Sequence, residues 1–301
     1  MSNPRGAKHR AHFTLKRDLR PILTSLNGDN SWLLSFPRPE PERKTSGKAY
    51  FHIVHDPWLN GPEVQISSWL HEGETGHSPI DAIHLSFHYG DHLHVPTLLT
   101  FDPSIPVFTT TDGAPIIRKS NHFTSITAYA DLDPTFTGDW SAIRRAPGLP
   151  SYITVFRIKG HHELNFFTAL LWSPAPDTHE AVLYSPHGLH TSTPALQALL
   201  HHADPSFSTL ALLHGLKESW TWSWQTTFGA KSGLELYRES RARYWVATHN
   251  DRLGYGGVVW WLVTDIFRSV EWALGQEKGG QEVRKDVKVE EVKNGECFVL
   301  E

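Results

Sequence analysis

The stretch Ser86-Phe87-His88-Tyr89-Gly90-Asp91-His92-Leu93-His94 gathers a carboxylate, three imidazoles and a phenol within nine residues. Carboxylate and imidazole are the donors that zinc and related divalent ions take from proteins. Asp91 and His92 are adjacent in an expected turn, where neighbouring side chains can splay towards one cation. A plainer reading makes Asp91 a helix N-cap and His92 a surface residue. Two later stretches have the same construction. Val182-Leu183-Tyr184-Ser185-Pro186-His187-Gly188 is an apolar run that delivers a histidine at a Pro/Gly turn, and Tyr244-Trp245-Val246-Ala247-Thr248-His249-Asn250-Asp251 does the same. If the three ends share one rim, Asp91, His92, His187 and His249 supply three imidazoles and one carboxylate, a set suited to one divalent metal ion. Zinc is the first expectation, with manganese or iron as alternatives.

Histidine is abundant, at 20 of 301 residues, so short histidine motifs arise readily by chance and only those with a fitting context count. His161 and His162, in Gly160-His161-His162-Glu163, read as an exposed turn between strands. Trp220, Trp222, Trp224 and Phe228 alternate with period two, which reads as a strand or loop over the core, or else as a lid over an apolar pocket. Tyr255, flanked by Gly254, Gly256 and Gly257, could bring a phenol to the rim. No G-x-S-x-G elbow occurs, and Cys297 is the only cysteine, so covalent catalysis has no evident nucleophile and a thiolate cluster cannot form.

These residues need strand ends to carry them, and the pattern supplies strands. Ile22–Leu26 and Ser31–Phe36 flank the turn Asn27-Gly28-Asp29-Asn30 as a hairpin. A Pro- and charge-rich loop, read as exposed and expendable, spans 37–48. Further strands are expected at 49–55, 82–86, 106–110, 125–129, 151–158, 166–172, 181–184 and, last, 244–247. Helices are expected from Asp91 or His92 onward and at 114–121, 193–203, 233–243 and 258–274. Strands interleaved with helices give an α/β layered sandwich.

Residues 1–20 read as a flexible N-terminal arm, 21–275 as one domain, and 276–301 as a disordered charged tail. With 39% hydrophobic and 20% charged residues the chain is globular, and a net charge of −4 without a basic stretch excludes the footprint of nucleic-acid binding. No apolar run spans a bilayer and no secretory signal is evident, so membrane association is not expected and the cytoplasm is the expected compartment. A small-molecule substrate is the expected partner. Oligomeric state is not legible.

In order and spacing these motifs resemble the metallo-β-lactamase superfamily, particularly its lactonase-like intracellular branch, from about Leu23 to Thr264. That resemblance implies a four-layer αββα sandwich. It also implies a structural Asp at Asp56 in HIVHDPWL, a metal-binding loop at SFHYGDH, a middle ligand histidine whose positional candidates are His161 and His162, a bridging position at His187 and a last ligand at His249. Aligned on Asp91-His92, the family's two leading loop histidines fall on Phe87 and Tyr89, and its bridging Asp falls on His187. One of the two metal positions should therefore be missing, and His88 is one residue out of register. The expectation is a mononuclear metal-dependent hydrolase of an ester, lactone or similar molecule, with Asp91 at the metal and Tyr89 or His88 as proton donor. The alternatives are a catalytically reduced binding or scaffold protein and a metal-independent hydrolase or lyase.

Overall fold

The structure is a computed structural model that describes residues 19–59, 80–141, 143, 146–251, 260–277 and 287–301. The expected N-terminal arm up to residue 18 and the Gly254–Gly257 segment with Tyr255 lie outside the described residues.

The chain forms two compact units: Met1–Ala130, Arg145–Ile153 and Val292–Glu301 in one, Asp131–Arg144 and Thr154–Glu291 in the other. In the first, strands β1 (Ile22–Ser25), β2 (Trp32–Pro37), β3 (Tyr50–His55), β4 (Ala82–Leu85), β5 (Val107–Thr110), β6 (Ile126–Tyr129) and β16 (Cys297–Val299) form a sheet in the order β16-β1-β2-β3-β4-β5-β6. β1, β2 and β3 make an antiparallel meander, and β3 through β6 run parallel. In the second, β7 (Ile153–Lys159), β8 (Phe166–Ala175), β9 (Thr178–Ser185), β10 (Ser208–His214), β13 (Tyr244–Ala247) and β15 (Val289–Glu290) are ordered β15-β13-β10-β9-β8-β7, and β9, β10, β13 and β15 are parallel. Each unit thus repeats one scheme, a meander followed by four parallel strands. In such sheets the loops after the parallel strands' C-terminal ends are where ligands bind, and Asp91, His92, His187 and His249 lie in such loops.

Helices α1 (Glu40–Ser46), α2 (Val95–Leu98), α3 (Gly113–Lys119), α4 (Pro194–His202), α5 (Gly229–Ser240) and α6 (Val270–Gln276) complete the described elements, with a three-stranded antiparallel sheet of β11 (Lys217–Thr221), β12 (Trp224–Phe228) and β14 (Val263–Phe267). The first unit packs Leu33, Val54, Ile83, Leu85, Leu98, Val107 and Ile117 into its core, and the second packs Phe156, Phe167, Leu183, Leu196, Leu212, Leu234 and Trp245.

Several sequence expectations are corrected here. The expendable loop at 37–48 contains α1, closed by Gly47 at φ +69°, and Arg38 at its base is buried between Glu42 and Asp81. The helix expected from Asp91 is a turn followed by the single-turn α2, and its N-cap is His94, whose ring nitrogen accepts from Thr97 N. Neither Asp91 as a cap nor His92 as a surface residue holds. Residues 260–274 are a 3-10 turn, β14 and the start of α6, in place of one helix. The expected disordered tail carries β15 and β16: Cys297, Phe298 and Val299 pair with Thr24, Leu23 and Ile22, because a short apolar run can close an open sheet edge. Trp222 and Trp224 are 80% and 70% exposed at the β11–β12 hairpin, so they are not core, whereas Phe228 is buried. Among the described residues no helix is long and apolar enough to cross a membrane.

Candidate metal centre

In the first unit the site begins where β3 ends. Asp56 follows the strand at φ +46°, a left-handed conformation rare for a residue with a Cβ, and the turn swings its carboxylate back across the sheet. There it accepts from Ser86 N at 2.7 Å and Ser86 Oγ at 2.5 Å, just beyond β4, and lies 2.7 Å from His92 Nδ1. All three residues are fully buried. Burial alone would raise the Asp56 carboxyl, but His55 and His92 and the bonds from His92 and Ser86 hold it well below the usual carboxylate range. Burial likewise works against charging His92, yet Asp91 and Asp56 reverse this and its pKa is raised. With Nδ1–H given to Asp56, the ring nitrogen that carries a lone pair is Nε2, which lies 3.7 Å from Asp91 Oδ2. A carboxylate holding the far nitrogen of an imidazole is the usual outer support of a histidine metal ligand.

The loop is held from both sides. His92 N and Leu93 N bond to Tyr89 O, and Asn30 Nδ2 donates to Asp91 O at 2.6 Å. Beneath it, Phe87 is 1% exposed and its ring meets those of His88, Tyr89 and His92. The residue at a leading-ligand position of the resemblance is therefore a packing residue. Tyr89 is 42% exposed and its ring lies 4.8 Å from that of His88.

In the second unit β9 ends at Ser185, and Gly188 N bonds to Ser185 O across Pro186 and His187. Gly188 has φ +85°, and a Cβ there would lie 2.9 Å from Phe228 Cβ, so only glycine fits this turn. His187 is buried, with Nδ1 3.0 Å from Thr227 Oγ1, while its carbonyl accepts from Phe228 N. His249, two residues past β13, is also buried and also left-handed at φ +56°. Its loop is tied by Asn250 Oδ1, which accepts from Leu216 N at 2.7 Å and Lys217 N at 3.2 Å, and by Lys217 Nζ, which donates to Asp251 O. The rings of His187 and His249 stand 4.8 Å apart at 79°. Each unit thus brings one pair together: Asp91 with His92, and His187 with His249, each pair offering ligand atoms within 4.8 Å of one another.

His161 and His162 lie in the β7–β8 turn, where the ring of His161 is 4.7 Å from that of His190 and stacks on Phe228. Sequence reasoning missed the supports: Asn30, Thr227 and Asn250 have no local pattern that marks them. It also missed His214, which ends β10 fully buried, donates Nδ1–H to Gly215 O, and is pushed down to about 4 by that burial.

No protein-family model and no curated protein matches the sequence. Solved structures do. The chain is similar to the isothiocyanate hydrolase from Delia radicum gut bacteria, with 12% identity, a TM-score of 0.58, and coverage of 93% of this chain and 99% of that one. It is similar to Igni18, a metallo hydrolase from the archaeon Ignicoccus hospitalis, with 12% identity, a TM-score of 0.53, and coverage of 93% and 98%. The metallo-β-lactamase fold protein YhfI from Bacillus subtilis matches at 13% identity, a TM-score of 0.50, and coverage of 93% and 99%. Together with the two mixed sheets and their helices, these likenesses show that the chain has the metallo-β-lactamase fold.

Proposed function

We propose that the protein is a metal-dependent hydrolase in which Asp91, His92, His187 and His249 bind one divalent ion, zinc first among the candidates. The observation that carries the reading is the buried Asp56–His92 pair beside Asp91, which holds one imidazole with its coordinating nitrogen committed. The donor set fits: one carboxylate and three imidazoles, two of the rings braced at Nδ1 by Asp56 and Thr227. That an isothiocyanate hydrolase and a metallo hydrolase share the fold supports a hydrolase reading.

A bound ion would polarise a carbonyl and lower the pKa of its water to about 7. The chain's own part is positional. Asp56 and Thr227 orient their histidines, Asn250 fixes the His249 loop, and Phe87 fills the space behind the loop. Tyr89 or His88, on the exposed side, would give a proton to the leaving group. We infer a small-molecule ester, lactone or similar acyl compound as substrate. Four protein ligands would close a tetrahedral site, so turnover needs a fifth position or His187 acting as general base.

The buried Phe87 favours a second reading, in which a reduced site serves a binding or scaffold protein. Metal content by mass spectrometry, on protein purified without a His tag or chelator, tests both, beside the Asp91→Ala/His249→Ala double variant. About one ion per chain, lost in the variant, with chelator-sensitive turnover of an ester or lactone panel, supports the hydrolase. Bound metal without turnover moves the reading to the scaffold. No metal after reconstitution with zinc, manganese or iron overturns it.

A further inference from the structure

Behind the metal loop of the first unit runs a line of buried polar groups that the chemistry above does not use. Tyr129 Oη, at the end of β6, lies 2.7 Å from His84 Nε2 on β4. His84 Nδ1 lies 2.8 Å from His55 Nδ1 on β3, and His55 Nε2 lies 3.4 Å from Asp56 Oδ2. The rings are stacked, with centroids 4.9 Å apart for His55–His84 and 5.4 Å for His84–Tyr129. His55 and His84 are buried, and Tyr129 is 8% exposed. The parallel register sets this up: His55 pairs with His84, and the strands β4, β5 and β6 follow one another in the sheet. Burying two imidazoles in an apolar sheet is unfavourable unless their polar atoms are engaged; here His84 is hydrogen-bonded at both nitrogens and His55 at Nδ1, while His55 Nε2 faces the Asp56 carboxylate at 3.4 Å.

The line has two possible polarities. Tyr129 can donate to Leu85 O, 3.1 Å away, in which case His84 donates to the phenol, His55 donates to His84, and a nitrogen lone pair of His55 faces the Asp56 carboxylate. In the other polarity Tyr129 donates to His84 Nε2, His84 Nδ1–H donates to His55 Nδ1, and His55 Nε2–H points at Asp56. The Asp56 carboxylate, whose Oδ2 lies 3.4 Å from His55 Nε2, selects the second. A carboxylate repels a lone pair and attracts an N–H, and inside a protein that difference is little screened.

We propose that Tyr129, His84 and His55 are positioning residues: a relay of two hydrogen bonds in line orients His55 Nε2–H towards Asp56, and this 3.4 Å electrostatic contact keeps that carboxylate turned to His92 Nδ1 and so fixes the tautomer in which His92 Nε2 faces the metal. The proposal rests on the metal site proposed above, but its first readout does not need the metal. Nitrogen-15 NMR of histidine side chains in the metal-free protein identifies which ring nitrogen holds the proton. The relay requires Nδ1–H on His84, Nε2–H on His55 and Nδ1–H on His92. Tyr129→Phe keeps the stacked ring and removes only the hydroxyl. It should shift the His84, His55 and His92 signals together, and zinc affinity, measured by competition with a chromophoric chelator, should fall three- to tenfold while the thermal midpoint moves little. His84→Asn, which breaks the line in its middle, should reproduce the shift at His92, and a folded spectrum in either variant suffices.

Protons found on His84 Nε2 and His55 Nδ1, or a His92 signal unmoved in both variants, overturn the relay. If the NMR result is as expected but wild-type protein binds no zinc, the relay stands as the support of Asp56 and the metal reading alone fails.

Discussion

Asp56 Oδ2 and His92 Nδ1 are 2.7 Å apart with both residues wholly buried, and Asp56 reaches this position only through a left-handed turn at φ +46°. A buried carboxylate joined to a buried imidazole is strongly interdependent. Asp56→Ala should destabilise the fold by about 3–5 kcal/mol, because the remaining partner is left uncompensated, and weaken metal binding by about 10–100-fold. Urea unfolding and a metal titration check both. An unchanged metal affinity in folded Asp56→Ala protein would show that His92 needs no such support.

In the second unit the supports are weaker and neutral. Thr227→Val removes the oxygen 3.0 Å from His187 Nδ1 while conserving volume, and metal affinity should fall by up to about tenfold with little loss of stability. Asn250→Ala strips two backbone N–H groups of their acceptor, with an expected loss of about 1–3 kcal/mol. Its metal affinity should fall with it, since the left-handed His249 is the adjacent residue.

Acid should weaken the protein well before its carboxylates titrate. Burial lowers His84 to about 3 and His214 to about 4. The unfolded chain, with histidines near about 6.5, takes up protons that the folded state refuses. Their stabilising contribution is therefore fully present above pH 6.5 and is lost as pH falls from there towards 4, each group contributing up to about 1.4 kcal/mol per pH unit. His92, whose pKa is raised, opposes this trend, since its contribution is present at low pH and lost as pH rises through its folded value. A lower urea midpoint at pH 5 than at pH 7.5 is expected, and a narrower gap in His214→Gln. Equal midpoints would refute the account.

Two glycines should behave oppositely. A Cβ on Gly233 would lie 2.4 Å from Trp245 Cζ2 and 2.7 Å from His214 Nδ1, so Gly233→Ala should destabilise by about 1–3 kcal/mol through overpacking. Gly90 has nothing within 4 Å of such a position, and Gly90→Ala should leave thermal unfolding nearly unchanged. Comparable losses in both would mean that the packing around Trp245 yields.

What the sequence made legible follows from local physics. The hairpin at Asn27–Asn30 and the strand at Tyr244–Ala247 are found where turn residues bound a β-rich run. β10 was missed because Leu210-Ala211-Leu212-Leu213 is apolar throughout, as a strand buried on both faces must be, and Leu and Ala favour helices. β16 was missed because three residues carry no period and its partner β1 lies at the far end of the chain. The candidate ligands were readable because each stands beside a strand end with turn residues. Their supports were not: nothing around Thr227 or Tyr129 differs from ordinary strand sequence, and their roles come from the neighbours that folding supplies.

The pairing of β16 with β1 also sets an order of events in time. Strand β1 is made early and its edge partner late, so during synthesis the Ile22–Ser25 edge stays open while the rest of the chain emerges. The second unit, drawn mainly from the continuous stretch Thr154–Glu291, has every pairing of its main sheet within reach before that edge is sealed. The first unit is therefore begun before the second and closed after it, and until β16 emerges the Ile22–Ser25 edge is a strand template without its native partner.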